Sequence, residues 1–212
     1  MTKFQTQTFS ALADKILMAA LLVIFTLAVQ AQTQIGLDID GEAAGDASGR
    51  SVSLSSNGKI LAIGADGNDG GGSNAGHVRV YEWNGSSWIQ LGADIDGEAA
   101  EDGSGRSVSL SDDGKFLAIG AYLNDGNGSD AGHVRVYEWN GSAWTQVGAD
   151  IDGEAAVDRS GISVSLSDDG KFLAIGAYFN DGNSPDAGHV RVYEWDGSAW
   201  TQVGADIDGE AA

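Results

Sequence analysis

Carboxylates recur through this chain at a spacing that suits a hard cation. Asp38, Asp40, Glu42 and Asp46 form one set; Asp94, Asp96, Glu98 and Asp102 form the next; Asp150, Asp152, Glu154 and Asp158 form the third. Acids at positions 1, 3, 5 and 9 match the alternation by which a calcium loop wraps oxygens around Ca2+. The glycine, however, stands at position 4 and not at position 6, where the sharp turn belongs, so turn-forming, solvated acids are the competing reading. A second candidate is Asp125, Asn127, Ser129 and Asp130, which degrades to Gly71 in one copy and Pro185 in another and reads better as a turn-rich loop.

The other chemistry-bearing residues repeat as well. His77, His133 and His189 occupy one equivalent place, and a repeated histidine reads as scaffold before catalyst. The chain has no cysteine, and no Ser-His-Asp set stands apart from the repeat, so the expectation is that it is not an enzyme. The pairs Trp83/Trp88, Trp139/Trp144 and Trp195/Trp200 flank Asn-Gly or Asp-Gly turns and suit cross-strand packing, with a sugar-stacking platform as the alternative.

The elements that position these residues come from a repeat. Asp-Ile-Asp-Gly-Glu-Ala-Ala begins at Asp38, Asp94, Asp150 and Asp206, always 56 residues apart. The units are residues 38–93, 94–149 and 150–205, preceded by a short D-type strand at 32–37 and followed at 206–212 by the start of a truncated fourth. In the middle unit, strand A is Arg106 to Ser111, where Val108 and Leu110 alternate with Ser107 and Ser109. An Asp-Gly turn leads to strand B, Phe116 to Ala121. Strand C spans Gly132 to Trp139 and, after Asn140-Gly141, strand D spans Ala143 to about Asp150. Such a meander buries no core alone but does so when stacked, and the small residues Ser107, Ser109, Ala118 and Gly120 belong where neighbours crowd. The expected fold is all-β: four-stranded antiparallel blades of a β-propeller, about three of them, as a partial ring or open arc, with a linear stack of sheets as the alternative.

Residues 1–31 differ from the rest. Lys3 and Lys15 precede the apolar run Ile16 to Val29, which is too short to span a bilayer, and Ala31 ends a small-residue cleavage pattern. They read as a signal peptide cleaved near Ala31, and the protein as secreted or cell-surface, without membrane insertion after cleavage. The formal net charge of -20 repels phosphate backbones and excludes nucleic acid as a partner.

Ser-Val-Ser-Leu at 107–110, Leu-Ala-Ile-Gly-Ala at 117–121 and Gly-His-Val-Arg-Val-Tyr at 132–137 resemble the FG-GAP repeat, the blade unit of integrin α-chain propellers and of many secreted bacterial proteins. The Phe-Gly that names that family is Ser-Gly here, at 48–49, 104–105 and 160–161. The family's calcium loop between strands A and B is replaced by the short turns Asn57-Gly58, Asp113-Gly114 and Asp169-Gly170. The resemblance therefore implies a divergent branch, to which the usual ligands do not carry over. It also implies more blades than three, supplied by a longer chain or by self-assembly.

In a meander the A-B and C-D turns share one face, and the longer B-C and D-A loops share the other. The expected function is a non-catalytic extracellular binding or adhesion module that takes a protein or glycan ligand on the acidic B-C/D-A face. The alternatives are a calcium-stabilised scaffold of a larger secreted protein, or the propeller part of an enzyme whose catalytic residues lie outside this chain.

Overall fold

A computed structural model describes residues 33–210 of the chain, so the expected signal peptide lies outside the described residues. Contacts divide the chain after Ile35, and the unit beginning at Gly36 holds every blade. Blade 1 comprises β1 (Ser51–Leu54), β2 (Ile60–Ala65), β3 (His77–Trp83), β4 (Trp88–Gln90) and β5 (Ile95–Asp96). Blade 2 comprises β6 (Ser104–Leu110), β7 (Phe116–Ala121), β8 (His133–Trp139), β9 (Trp144–Gln146) and β10 (Ile151–Asp152). Blade 3 repeats the pattern as β11 (Ser163–Leu166), β12 (Phe172–Ala177), β13 (His189–Trp195), β14 (Trp200–Gln202) and β15 (Ile207–Asp208). Each sheet is an antiparallel meander in strand order A-B-C-D. No ring is closed by these three, and the architecture is an all-β partial propeller.

The turns form for local reasons. Asn140 sits opposite Ala143 and its Oδ1 accepts hydrogen bonds from the amides of Ser142 and Ala143, closing the C-D hairpin so that Trp139 pairs directly with Trp144. Their rings lie 5.6 Å apart, so the tryptophans are cross-strand partners.

Two elements differ from the sequence expectation. Strand D is broken: β9 pairs the far end of β8 with Tyr137 opposite Gln146, whereas β10 pairs its near end with Val134 opposite Ile151. Two additional residues are therefore accommodated between the legs, and Gly148 turns the chain there at φ 81°. As a result the acidic stretch expected to open the D-A loop begins inside the sheet. Residues 33–37, expected as a D-type strand, form no ladder, with bends at 35–37. A D strand pairs with the outer edge of a C strand, and those edges of β3, β8 and β13 already hold β4, β9 and β14.

The core lies between blades. Leu117 and Ile119 of β7 point toward blade 1, joining Ala62, Val78, Val80 and Ile95. Ala118, one residue out of phase, points the other way with Val134, Val136 and Ile151 to meet Leu166, Leu173, Ile175 and Tyr193 of blade 3. The small residues stand on this second face. Ser107 Oγ donates to the Gly161 carbonyl at 2.7 Å, Ser109 Oγ accepts from the Leu166 amide at 2.9 Å, and a Cβ on Gly120 would overlap the Gly161 carbonyl oxygen. Backbones of neighbouring blades meet here, which leaves no room for larger side chains.

Candidate functional site

Two arrangements on the B-C/D-A side can do chemistry. The first is a groove of about 340 Å3 where blade 1 passes to blade 2, lined by Gly45, Ala47, Arg50, Asp66, Gly67, Asn74, Glu101, Gly103, Tyr122 and Leu123. The loops around it are rigidly joined. The amides of Glu101, Gly103 and Ser104 donate to the carbonyls of Ser73, Asn74 and Ala75 at 2.8, 3.1 and 2.9 Å, so each B-C loop is laced to the D-A loop that enters the next blade. Asp102 fixes the same junction from beneath, accepting from the Ala99 amide and from Asn124 Nδ2.

Charge and aromatic surface meet in the groove. Asp66 receives Arg50 at 3.5 Å and Arg106 at 3.4 Å, and the Arg106 guanidinium lies 5.3 Å from the centre of the Tyr122 ring. Burial pushes the Asp66 carboxyl upward against the pull of Arg50, and burial likewise raises the Tyr122 phenol. At the equivalent junction of blades 2 and 3 the space is taken by Arg159, whose guanidinium stacks 4.9 Å from Phe179 and donates to the Tyr178 hydroxyl at 3.0 Å.

The groove is lined by positions at which the repeat varies. Its ten lining residues fall on six repeat positions, and at all six the three copies disagree: Gly45/Glu101/Val157, Ala47/Gly103/Arg159, Arg50/Arg106/Ile162, Asp66/Tyr122/Tyr178, Gly67/Leu123/Phe179 and Asn74/Asp130/Asp186. The backbone is strained at the same places. Ala47, Asn74, Glu101, Asp130, Val157, Arg159 and Asp186 are the non-glycine residues with left-handed φ, between 50° and 73°, among the described residues, and every one stands at one of these positions.

The second arrangement is a histidine between two carboxylates, built three times: Glu42-His77-Asp94, Glu98-His133-Asp150 and Glu154-His189-Asp206. His189 Nδ1 lies 3.6 Å from Glu154 and 3.8 Å from Asp206 and makes no hydrogen bond. The break in strand D makes this possible, because it returns Asp150 to the start of β8, held by Gln146 Nε2 at 2.6 Å. Burial, aided by Arg135, depresses the His133 pKa and keeps its imidazole neutral, the form that ligates metals. One nitrogen and two carboxylate oxygens could hold a metal ion, and that donor set suits a borderline transition ion better than calcium, which prefers oxygen alone. Arg135, 3.4 Å from Glu98, competes for one of the donors.

The acids singled out by spacing are thus divided among separate tasks. Among the described residues, the groups of three or more potential ligands within 4.8 Å of one another are those histidine groups, so Asp94, Asp96, Glu98 and Asp102 do not gather as one cage. Asp102 ties loops, Glu98 meets Arg135 and His133 in its own group, and Asp94 joins the group of the preceding blade. Asp125 closes its own loop by accepting from the Asp130 amide at 2.8 Å, and Asn127 donates to the Gly153 carbonyl. Sequence reasoning missed the role of His77, His133 and His189, whose partners are near in space but distant in the chain. It also missed the groove residues Arg50, Asp66 and Tyr122, which the disagreement among copies could have marked.

Four-stranded meanders stacked face to face, the middle one covered on both faces, define a propeller-type repeat scaffold. Residues 94–137 match the family model described as the FG-GAP repeat, and the units on either side resemble that segment in register. A candidate 6-phosphogluconolactonase from Bacteroides uniformis has a similar fold, with a TM-score of 0.51 and 16% identity over 74% of this chain and 40% of that one. Sqt1 of Saccharomyces cerevisiae aligns with a TM-score of 0.48 and 10% identity, over 83% of this chain and 40% of its own. The chain spans about 40% of the length of each. No curated protein matches its sequence.

Proposed function

We propose that this chain is a non-catalytic extracellular binding module that holds a protein or glycan ligand on its B-C/D-A face, centred on the groove between blades 1 and 2. One observation carries the reading: the groove is lined entirely by positions at which otherwise near-identical copies differ. A lining made only of differing positions gives a non-repeating surface on a rigid support, which recognition requires. Left-handed backbone at the same positions supports it, since strain persists where surrounding structure holds it for a use. The N-terminal leader pattern supports an extracellular location. A Tyr ring beside Asp, Asn, Glu and Arg offers an apolar face with directional hydrogen-bonding groups, the composition of a specific binding site.

The test is a binding screen of the wild type against arrayed glycans and purified extracellular matrix proteins, repeated with Tyr122→Ala and Glu101→Lys. At least a tenfold loss of affinity, about 1.4 kcal/mol, with an unchanged melting temperature is expected for whatever binds. No bound component, or full retention of binding by both variants, contradicts the reading.

A second reading rests on the thrice-built histidine groups: a metal-stabilised repeat scaffold, with a divalent ion joining the D-A loop that enters each blade to that blade's strands C and D. Calcium was the ion expected from the spacing of the acids, and the histidine nitrogen favours zinc, nickel or cobalt in its place. Thermal melts with EDTA, Ca2+ or Zn2+ separate these cases, because an ion bound only to the folded state raises the midpoint. Equal midpoints in all three remove the metal.

A further inference from the structure

Each end blade keeps one open face, and each open face is the repeat image of half an interface that the chain buries twice. On blade 3, Val190 and Ile207 are 37% and 61% exposed, although their counterparts Val134 and Ile151 on blade 2 are 0% and 6% exposed. On blade 1, Val52 and Leu54 are 62% and 55% exposed, against 9% and 8% for Val108 and Leu110. Both faces keep apolar side chains that a neighbouring blade would cover.

The polar and steric parts of the interface are present as halves too. Inside the chain, Gly64 and Gly120 receive the carbonyls of Gly105 and Gly161 from the next blade, and Gly76 and Gly132 press on Ser104 and Ser160. On blade 3, Gly176 and Gly188 have neighbours from their own blade alone, and a groove of about 350 Å3 opens before them, lined in part by Ser163, Val190 and Ile207. The matching Ser-Gly step exists on blade 1 as Ser48-Gly49, where Gly49 is exposed and a Cβ would touch nothing. Seat and insert are carried by one molecule, at opposite ends of its row of blades.

We infer that a second copy of this chain docks there head to tail, its β1 and Ser48-Gly49 step entering the blade 3 groove and reproducing the interface between blades. The occupant follows from continuity with that interface: Ser51 donates to the Gly105 carbonyl and Ser107 to the Gly161 carbonyl, and Ser163 stands at the same position on blade 3, facing the carbonyl of Gly49 from the second copy. Such a contact joins two different surfaces, so copies either close into a ring or continue as a row.

Sedimentation analysis of the protein in the form its host produces, up to about 100 μM, tests this. The mass of two or more copies is expected, falling to one on dilution. Leu54→Asp places charge on an exposed position of the blade 1 face, and Gly176→Ala fills the seat while meeting, in its own blade, chiefly the movable Ser163 hydroxyl. Each is expected to weaken self-association at least 100-fold. Mixed one to one, the two variants keep one intact face of each kind and are expected to form dimers and nothing larger. Circular dichroism verifies that both fold, with Val190→Lys replacing Gly176→Ala if that variant does not. A single-copy mass for wild type at every concentration, variants that assemble as it does, or a monomeric mixture overturns the inference.

Discussion

Val157 holds a β-branched side chain at φ 73°, a conformation that costs on the order of 1–3 kcal/mol and that glycine adopts freely. Val157→Gly is therefore expected to raise stability by about 1 kcal/mol in urea denaturation, since glycine's greater unfolded-state freedom returns part of the gain. Gly45 already occupies that repeat position in the first copy. Asp46 shows the opposite economy. Burial pushes its carboxyl up, but the Ala43 amide at 2.9 Å and Asn68 Nδ2 at 3.2 Å prevail and hold it below its ordinary value of 3.8. The ionised form is favoured by folding, so its contribution is complete above that ordinary value and is lost as pH falls through the lower folded one. The melting-temperature gap between wild type and Asp46→Asn should accordingly narrow as pH falls from neutral through the ordinary value of 3.8 and below it; a constant gap contradicts the assignment. At this scale the sequence was only partly legible. Spacing along the chain drew attention to the acids, but Glu98 finds His133 across 35 positions and Asp46 finds Asn68 across 22, distances that no local motif encodes.

Strands were far easier to read than sites. Alternation in Ser-Val-Ser-Leu and Leu-Ala-Ile-Gly-Ala, together with Asp-Gly and Asn-Gly turns, locates strand B to the residue and strands A and C to within about two positions. The broken strand D was not legible, because its second leg is two residues long and is fixed by pairing with β8 and not by any pattern of its own. Alternation also predicts unequal costs of truncation. Leu117 and Leu173 are fully buried between blades, whereas their counterpart Leu61 lies half-buried on the open face of blade 1. Leu117→Ala and Leu173→Ala should each cost about 2–5 kcal/mol, and Leu61→Ala less than half as much, in denaturant melts on dilute protein. Equal losses at all three would mean that the core is not divided into interblade layers.

As a whole, the molecule gathers different features on its two faces. The tight A-B and C-D turns make one side, where Trp pairs close each blade, while the B-C and D-A loops make the side that holds the groove and the left-handed non-glycine residues. The meander alone sorts turns from loops by face, and the laced loops and the groove lie on the loop side. Hydrogen exchange on the wild type, with and without the ligand found by screening, tests directly which side binds. The account predicts slowed exchange at the amides of residues 101–104 and 122–124, with no change at the hairpins 84–87 and 140–143. Protection confined to those hairpins, or to the open faces of blades 1 and 3, would contradict a binding site on the loop side.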